Sequence, residues 1–137
     1  MQITEHFDSD EFSCHDGTDY PKEWIDSKLK PLCGDLECIR ALTNQQMNIE
    51  SGYRTVSWNN AIYKARGETP TDSEHCKGIA ADIILSGMSS HELYNAISVL
   101  IKEKAIPDGG LGLYRWGCHY DLRCTLDNKP PARWVKE

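Results

Sequence analysis

The sequence has no long hydrophobic run and no segment that resembles a secretory signal. Its 137 residues contain no apolar stretch close to the roughly 18 residues that a membrane-spanning helix needs. The opening residues 1–6 lack both the basic part and the apolar part of a signal peptide. We therefore expect a protein without membrane spans that is synthesised in the cytoplasm.

Positive charge is also scarce. The chain has 15 Lys and Arg residues against 21 Asp and Glu residues, which gives a net charge of -6 at pH 7. Such a balance opposes binding to nucleic acids or anionic membranes by broad electrostatic attraction. We expect no nucleic-acid partner.

Internal repeats, low-complexity tracts and Cys-x-x-Cys pairs are absent as well. Without paired spacing or a secretory signal, the six cysteines favour reduced thiols, with disulfides formed after release as the alternative. The hydrophobic fraction of 39% and the charged fraction of 26% are those of an ordinary globular protein. We predict a single domain over residues 1–137 and expect a monomer.

Apolar residues at helical spacing predict three helices. The first lies in residues 21–42, where Pro31 divides a short turn from the main helix. Residues 57–66 also have a helical pattern. The third helix begins after Ser89, which forms a capping box with Glu92.

Shorter apolar segments between turn residues predict the strands. Residues 47–51 alternate apolar and polar side chains, and residues 79–85 form an apolar run bounded by glycines. Residues 111–125 are rich in β-favouring side chains and predict two strands joined near Gly117. The chain therefore combines helices with a sheet.

Two histidines and one carboxylate lie where these strands can bring them together. His75 precedes a strand that carries Asp82, and His119 lies on the last predicted strand. Two histidines and one carboxylate are the ligands of an open catalytic zinc site, which keeps a fourth position for water. The spacing differs from that of a His-Glu-x-x-His helix, so the site belongs on a sheet. We predict one Zn²⁺ bound by His75, Asp82 and His119.

Asp121 shares a strand face with His119. Residues two apart on a strand lie about 6.5–7 Å from each other on the same face. Zinc lowers the pKa of its bound water to about 7, and a nearby carboxylate either accepts the water's proton or orients a metal ligand. Both roles stay open for Asp121.

Five motifs follow one another along the chain: Phe7-x-x-x-Glu11-Phe12-x-Cys14, Ser51-Gly52-Tyr53-Arg54-Thr55 with Asn59, Ser73-x-His75-x-x-Gly78-x-Ala80-x-Asp82, Gly112-x-Tyr114, and His119-x-Asp121-x-Arg123. Together they resemble the zinc D-Ala-D-Ala carboxypeptidase and L-Ala-D-Glu endopeptidase family, in its phage-type and small bacterial members. The resemblance implies a hedgehog-type α+β fold, with an antiparallel sheet and helices packed on one side. It also implies zinc at His75, Asp82 and His119, and hydrolysis of peptide bonds in bacterial peptidoglycan.

The same resemblance implies a substrate site. Arg54 is expected to grip a substrate carboxylate, a task that suits the planar guanidinium fork, and Tyr53 and Ser73 are the further substrate-binding positions. Carboxypeptidase and endopeptidase action both stay open. The place of action is then the cell wall, reached after release or export by a route that this chain does not encode.

One position departs from the family pattern. Many members carry an acidic residue three positions before the last histidine, as general base, and this chain has Trp116 there. The His119-x-Asp121 pattern shifts the expected base to Asp121, with Glu74 as a weaker candidate. Two alternatives follow: a zinc-containing wall-binding domain that has lost catalysis, and a metal-free protein whose histidines are merely packed.

Overall fold

The computed structural model describes residues 1–136 and has an α+β architecture. Its helices are α1 (Lys30–Thr43), α2 (Val56–Ala65), α3 (Ser90–Lys102) and α4 (Arg123–Leu126). Its strands are β1 (Gln2–Thr4), β2 (Phe7–Asp8), β3 (Met47–Ser51), β4 (Ala80–Leu85), β5 (Gly110–Tyr114), β6 (Cys118–Asp121) and β7 (Ala132–Lys136). Short 3₁₀ turns cover Ser9–Phe12, Lys22–Trp24 and Glu74–Lys77, and a π-helical turn, Ile25–Leu29, leads into α1.

The main sheet has five strands in the order β3-β4-β6-β5-β7. The pairs β3-β4, β4-β6 and β6-β5 are antiparallel, which confirms the predicted antiparallel arrangement for these four strands. Strand β7 has no counterpart in the prediction and pairs parallel to β5, so the sheet is mixed. Strands β1 and β2 form a separate two-stranded sheet.

The predicted helices are confirmed, and local side-chain contacts explain their ends. Helix α1 has Pro31 in its first turn, where a missing backbone N–H costs nothing, and it ends at Asn44 in a left-handed conformation with φ 52°. Helix α3 has the expected capping box. The Ser89 hydroxyl accepts the backbone N–H of Glu92 at 3.1 Å, and the Glu92 carboxylate accepts that of Ser89 at 3.1 Å.

The last predicted strand was too long. Strand β6 ends at Asp121, and helix α4 begins two residues later. The Asp121 carboxylate accepts the backbone N–H of Arg123 at 2.9 Å, and this local hydrogen bond turns the chain away from the sheet.

The two faces of the sheet differ in chemistry. One face is apolar and packs under α1 and α3; its buried residues are Ala81, Ile83, Leu111, Leu113, Cys118 and Tyr120. On the other face the strand register aligns one residue from each strand: Ser51, Asp82, His119, Gly112 and Trp134. All six cysteines are free thiols, and none of the described helices is long and apolar enough to cross a membrane. The polar face therefore carries the functional candidates.

Candidate metal centre

A short turn holds His75 at the edge of the polar face. The Ser73 hydroxyl accepts the backbone N–H of His75 at 3.2 Å, and Gly78 ends the turn with φ 74°. The ring Nδ1 lies 2.7 Å from the carbonyl oxygen of Gly52. Because a carbonyl oxygen can only accept, Nδ1 carries the proton and Nε2 keeps a free electron pair. Burial lowers the pKa of His75, which favours this neutral form.

Asp82 lies between the two histidines on strand β4. Its Oδ1 is 3.2 Å from Nε2 of His75 and 3.0 Å from Nδ1 of His119. On the other side, Nη2 of Arg54 donates to Oδ2 at 3.3 Å. Burial alone would favour the protonated acid, but the charges and hydrogen bonds of the two histidines outweigh it and lower the pKa of Asp82. The carboxylate is therefore ionised.

His119 has a carboxylate at each ring nitrogen. Its Nε2 lies 2.7 Å from Oδ2 of Asp121, and its Nδ1 faces Asp82. Burial lowers the pKa of His119, but the hydrogen bonds to both carboxylates outweigh burial and raise the pKa to about 9. A metal ion needs the deprotonated Nδ1, so a metal and a proton compete for this atom.

Asp121 is fully buried and anchored on several sides. Its carboxylate accepts the backbone N–H groups of Gly110 and Arg123, each at 2.9 Å. The Arg123 guanidinium adds a bond from Nε to Oδ1 at 3.0 Å and one from Nη2 to Oδ2 at 2.8 Å. These bonds and that of His119 outweigh the effect of burial and lower the pKa of Asp121. A carboxylate behind a ligand histidine fixes the tautomer and the direction of the ring.

The ligand atoms of His75, Asp82 and His119 all lie within 4.8 Å of one another, and all three residues are buried. Two imidazole nitrogens and one carboxylate oxygen form a donor set that suits zinc, and three protein ligands leave a coordination position for water. The hydrogen bonds of Gly52 and Asp121 occupy the outer nitrogen of each histidine. The residues therefore fit a zinc ion.

The three residues line a cleft of about 460 Å³. Its other walls include Arg54, Ser73, Glu74, Tyr114, Trp116, Arg123, Lys129 and Trp134. A family model described as Peptidase M15 matches residues 5–121.

The chain belongs to the peptidase M15 family. The match includes the three clustered residues and Asp121, and it ends before helix α4 and strand β7. No curated protein and no solved structure matches the chain significantly.

Of the substrate-binding positions predicted in this M15 protein, Arg54 and Ser73 line the cleft. Arg54 donates to Ser51 at 3.2 Å and Asn59 at 3.4 Å in addition to Asp82, which fixes the guanidinium beside the metal cluster. The ring of Tyr53 instead packs against Tyr20 and Trp24, with centroid distances of 6.0 and 5.9 Å. A substrate role for Tyr53 stays a prediction.

Trp116, which replaces the acid found in many family members, and Glu74, the weaker candidate for the general base, differ in their surroundings. The Trp116 side chain is 41% exposed and stacks on Tyr114 with a centroid distance of 4.8 Å. Glu74 lines the cleft, and its Oε1 accepts Lys129 Nζ at 2.6 Å. Its Oε2 is buried without a hydrogen-bond partner among the described residues. Glu74 thus points inward, which its position next to His75 did not reveal.

Sequence reasoning missed Trp134. Its indole lies against the His119 imidazole with a centroid distance of 5.0 Å, and Nε1 donates to the Tyr114 hydroxyl at 2.8 Å. The sequence offered one weak signal for this strand, the adjacent β-favouring residues Trp134 and Val135 after Pro131.

Proposed function

We propose that this M15 protein is a zinc peptidase that hydrolyses peptide bonds in the stem peptides or cross-links of bacterial peptidoglycan. The observation that carries the proposal is the convergence of Nε2 of His75, Asp82 and Nδ1 of His119, each already oriented by a second contact. When bound there, zinc would polarise the scissile carbonyl group and activate a water molecule.

Arg54 supports a substrate with a free carboxylate. Three of the five N–H groups of its guanidinium are used by neighbours among the described residues, so two are available to a ligand. The cleft is lined by five basic residues (Arg54, Arg66, Arg123, Lys129 and Lys136) and four acidic ones (Glu68, Asp72, Glu74 and Asp82), so its charge is nearly balanced in a chain of net charge -6. A substrate carboxylate held there would lie beside the metal cluster.

The hydrogen bonds of Asp121 support an orienting role. The carboxylate contacts Nε2 of His119, whereas the metal cluster lies at Nδ1 of the same ring. A role of Asp121 as general base stays a prediction. Glu74 lines the cleft with one carboxylate oxygen unpaired among the described residues, which supports Glu74 as the other candidate for proton transfer. We therefore propose that Asp121 orients His119 and that Glu74 is a candidate for proton transfer.

The place of action in this proposal is the cell wall, reached after release or export, and the active form is a monomer. A second candidate function is that of a zinc-containing wall-binding domain without hydrolytic activity. Trp116 favours it, because an exposed aromatic side chain lies where many family members have an acid.

The test is digestion of purified peptidoglycan with wild type, His119→Ala and a control, His91→Ala, which alters a histidine on α3 outside the cluster. Bound zinc is measured for each protein, and new peptide termini are identified by mass spectrometry, which separates carboxypeptidase from endopeptidase action. We expect wild type and His91→Ala to bind zinc and cleave, and His119→Ala to lose both properties.

Two results would contradict the proposed peptidase activity. Zinc binding without release from any wall type would support the binding domain. Absence of zinc, together with stability that a chelator does not change, would support the metal-free alternative.

A further inference from the structure

The indole of Trp134 reaches the metal cluster across an intervening strand. Trp134 on β7 pairs with Gly112 on β5, and Gly112 pairs with His119 on β6. The three residues form one cross-strand row, and the middle one has no side chain. The indole therefore crosses β5 and lies 5.0 Å from the His119 imidazole, measured between ring centroids.

Gly112 is required for this approach. A Cβ atom at this position would lie 2.3 Å from Nε1 and 2.4 Å from Cε2 of Trp134, well inside van der Waals contact. Any side chain at position 112 would push the indole away from His119. The glycine and the tryptophan thus act as a pair.

Two further contacts hold the indole in place. Its Nε1 donates to the hydroxyl group of Tyr114 at 2.8 Å, and the Arg123 guanidinium lies 5.3 Å from the ring. Arg123 also binds the carboxylate of Asp121. The indole therefore covers the side of the cluster where Asp121 and His119 meet.

His119 has a hydrogen-bond partner at each ring nitrogen, but a metal ion at Nδ1 would displace the proton that joins this atom to Asp82. The bond from Nε2 to Asp121 would then be the remaining hydrogen bond, and it leaves the imidazole free to pivot about the line that joins the two residues. The ring of His75 lies on one side, at a centroid distance of 5.1 Å, and the indole of Trp134 provides a second contact. Together they restrict the pivot, so that Nδ1 points toward Asp82.

We propose that Trp134 is a positioning residue of the metal centre, which fixes the plane of the His119 ring for metal binding. This inference rests on the proposed zinc site and adds a residue from β7, which lies outside the segment matched by the family model. The strand is thereby part of the functional unit.

The test compares wild type, Trp134→Ala, Trp134→Phe and a control, Val135→Ala, which alters an exposed neighbour on the same strand. Zinc affinity is measured by competition with a chromophoric chelator, and the visible absorption of the Co²⁺-loaded protein reports the ligand geometry. We expect Trp134→Ala to weaken zinc binding about 10-fold to 100-fold and to change the Co²⁺ spectrum, as changes behind metal ligands do. We expect Trp134→Phe to restore most of the affinity, because the ring contact remains, and Val135→Ala to match wild type.

A second arm uses the close approach at Gly112. We expect Gly112→Ala to weaken zinc binding in the wild-type background and to have little further effect in Trp134→Ala, where the clash is gone. Circular dichroism confirms that each variant is folded. An equal effect of Gly112→Ala in both backgrounds would overturn the inference, as would a Trp134→Ala protein with wild-type affinity and spectrum. Wild type that binds no metal would overturn the proposed function as well, so the two failures are distinguishable.

Discussion

The carboxylate of Asp121 lies 2.7 Å from Nε2 of His119, on the edge of the imidazole that faces away from the metal cluster. The same carboxylate is fully buried and accepts two bonds from the Arg123 guanidinium. Because an ionised carboxylate only accepts, this pairing keeps a proton on Nε2 of His119. It places Nδ1 of the ring toward Asp82 and His75.

This relationship predicts the effect of Asp121→Asn, which keeps the shape but removes the charge. We expect zinc affinity to fall about 10-fold to 100-fold, because the ring loses its orienting carboxylate. Saturating zinc should restore most of the peptidase activity. The measurements are chelator competition and activity against zinc concentration, with Asp26→Asn as a surface control. If Asp121 is instead the general base, zinc binding stays near normal while activity is lost at every zinc concentration.

Arg54 predicts a preference for substrates with a free carboxylate. We expect Arg54→Lys to raise KM about 10-fold for a peptide with a free terminal carboxylate, since lysine cannot form the bidentate contact. KM for the amidated peptide should change little. The matched control is Arg66→Lys at an exposed position of the same cleft. Equal effects of Arg54→Lys on the two peptides would show that Arg54 does not recognise this group.

Replacement of Asp35, which contacts Tyr120 on the apolar face of the sheet, is expected to give a pH-dependent gain in stability. This carboxyl on α1 accepts the Tyr120 hydroxyl at 3.2 Å, and burial raises its pKa from 3.8 to about 6. The folded state therefore binds a proton more tightly than the unfolded state. The cost of ionising Asp35 is absent below pH 3.8 and fully present above pH 6.

We therefore expect Asp35→Asn to raise the free energy of unfolding by about 1–3 kcal/mol at pH 7 and by far less near pH 4. Urea unfolding at the two pH values measures the difference. A gain that does not depend on pH would mean that burial of the charge is not its cause.

Replacement of Lys129 is expected to cost stability at pH 7, in contrast to replacement of Asp35, because Lys129 pairs with a buried acid. Its Nζ lies 2.6 Å from Oε1 of Glu74, whose pKa is raised by burial. We expect Lys129→Met to lower the free energy of unfolding by about 1–3 kcal/mol at pH 7, since Glu74 keeps a buried charge without its partner. The loss should shrink at low pH, where Glu74 is protonated. Urea unfolding of Lys129→Met and of the double variant with Glu74→Gln checks this, and a double variant no more stable than Lys129→Met would contradict it.

The elements near the site could be predicted from the sequence because their signals are local. Because side chains alternate along a strand, the sequence predicted that His119 and Asp121 share one face of β6 and that Asp82 lies on the face of β4 opposite Ala81 and Ile83. The capping box predicted the start of α3. The pairing of Gly112 with both His119 and Trp134 could not be predicted, because strand register depends on contacts between distant parts of the chain. Strand β7 is short and follows two prolines, and its residues do not alternate clearly between apolar and polar side chains, so the sequence did not predict it.

The directions of side chains outside the strands also could not be predicted from the sequence. The sequence placed Tyr53 beside Arg54, but it could not reveal that the ring packs between Tyr20 and Trp24. It also gave no indication that Glu74 points into the cleft, because residues of a short 3₁₀ turn do not alternate as those of a strand do.

The most direct measurement is a calorimetric titration of the metal-free protein with Zn²⁺, for wild type and His75→Ala. We expect wild type to bind one equivalent tightly, with release of protons because His119 gives up a proton at Nδ1. His75→Ala should lose this binding while keeping its fold. Wild type that binds no zinc, or His75→Ala that binds it as tightly as wild type, would contradict a metal centre formed by His75, Asp82 and His119.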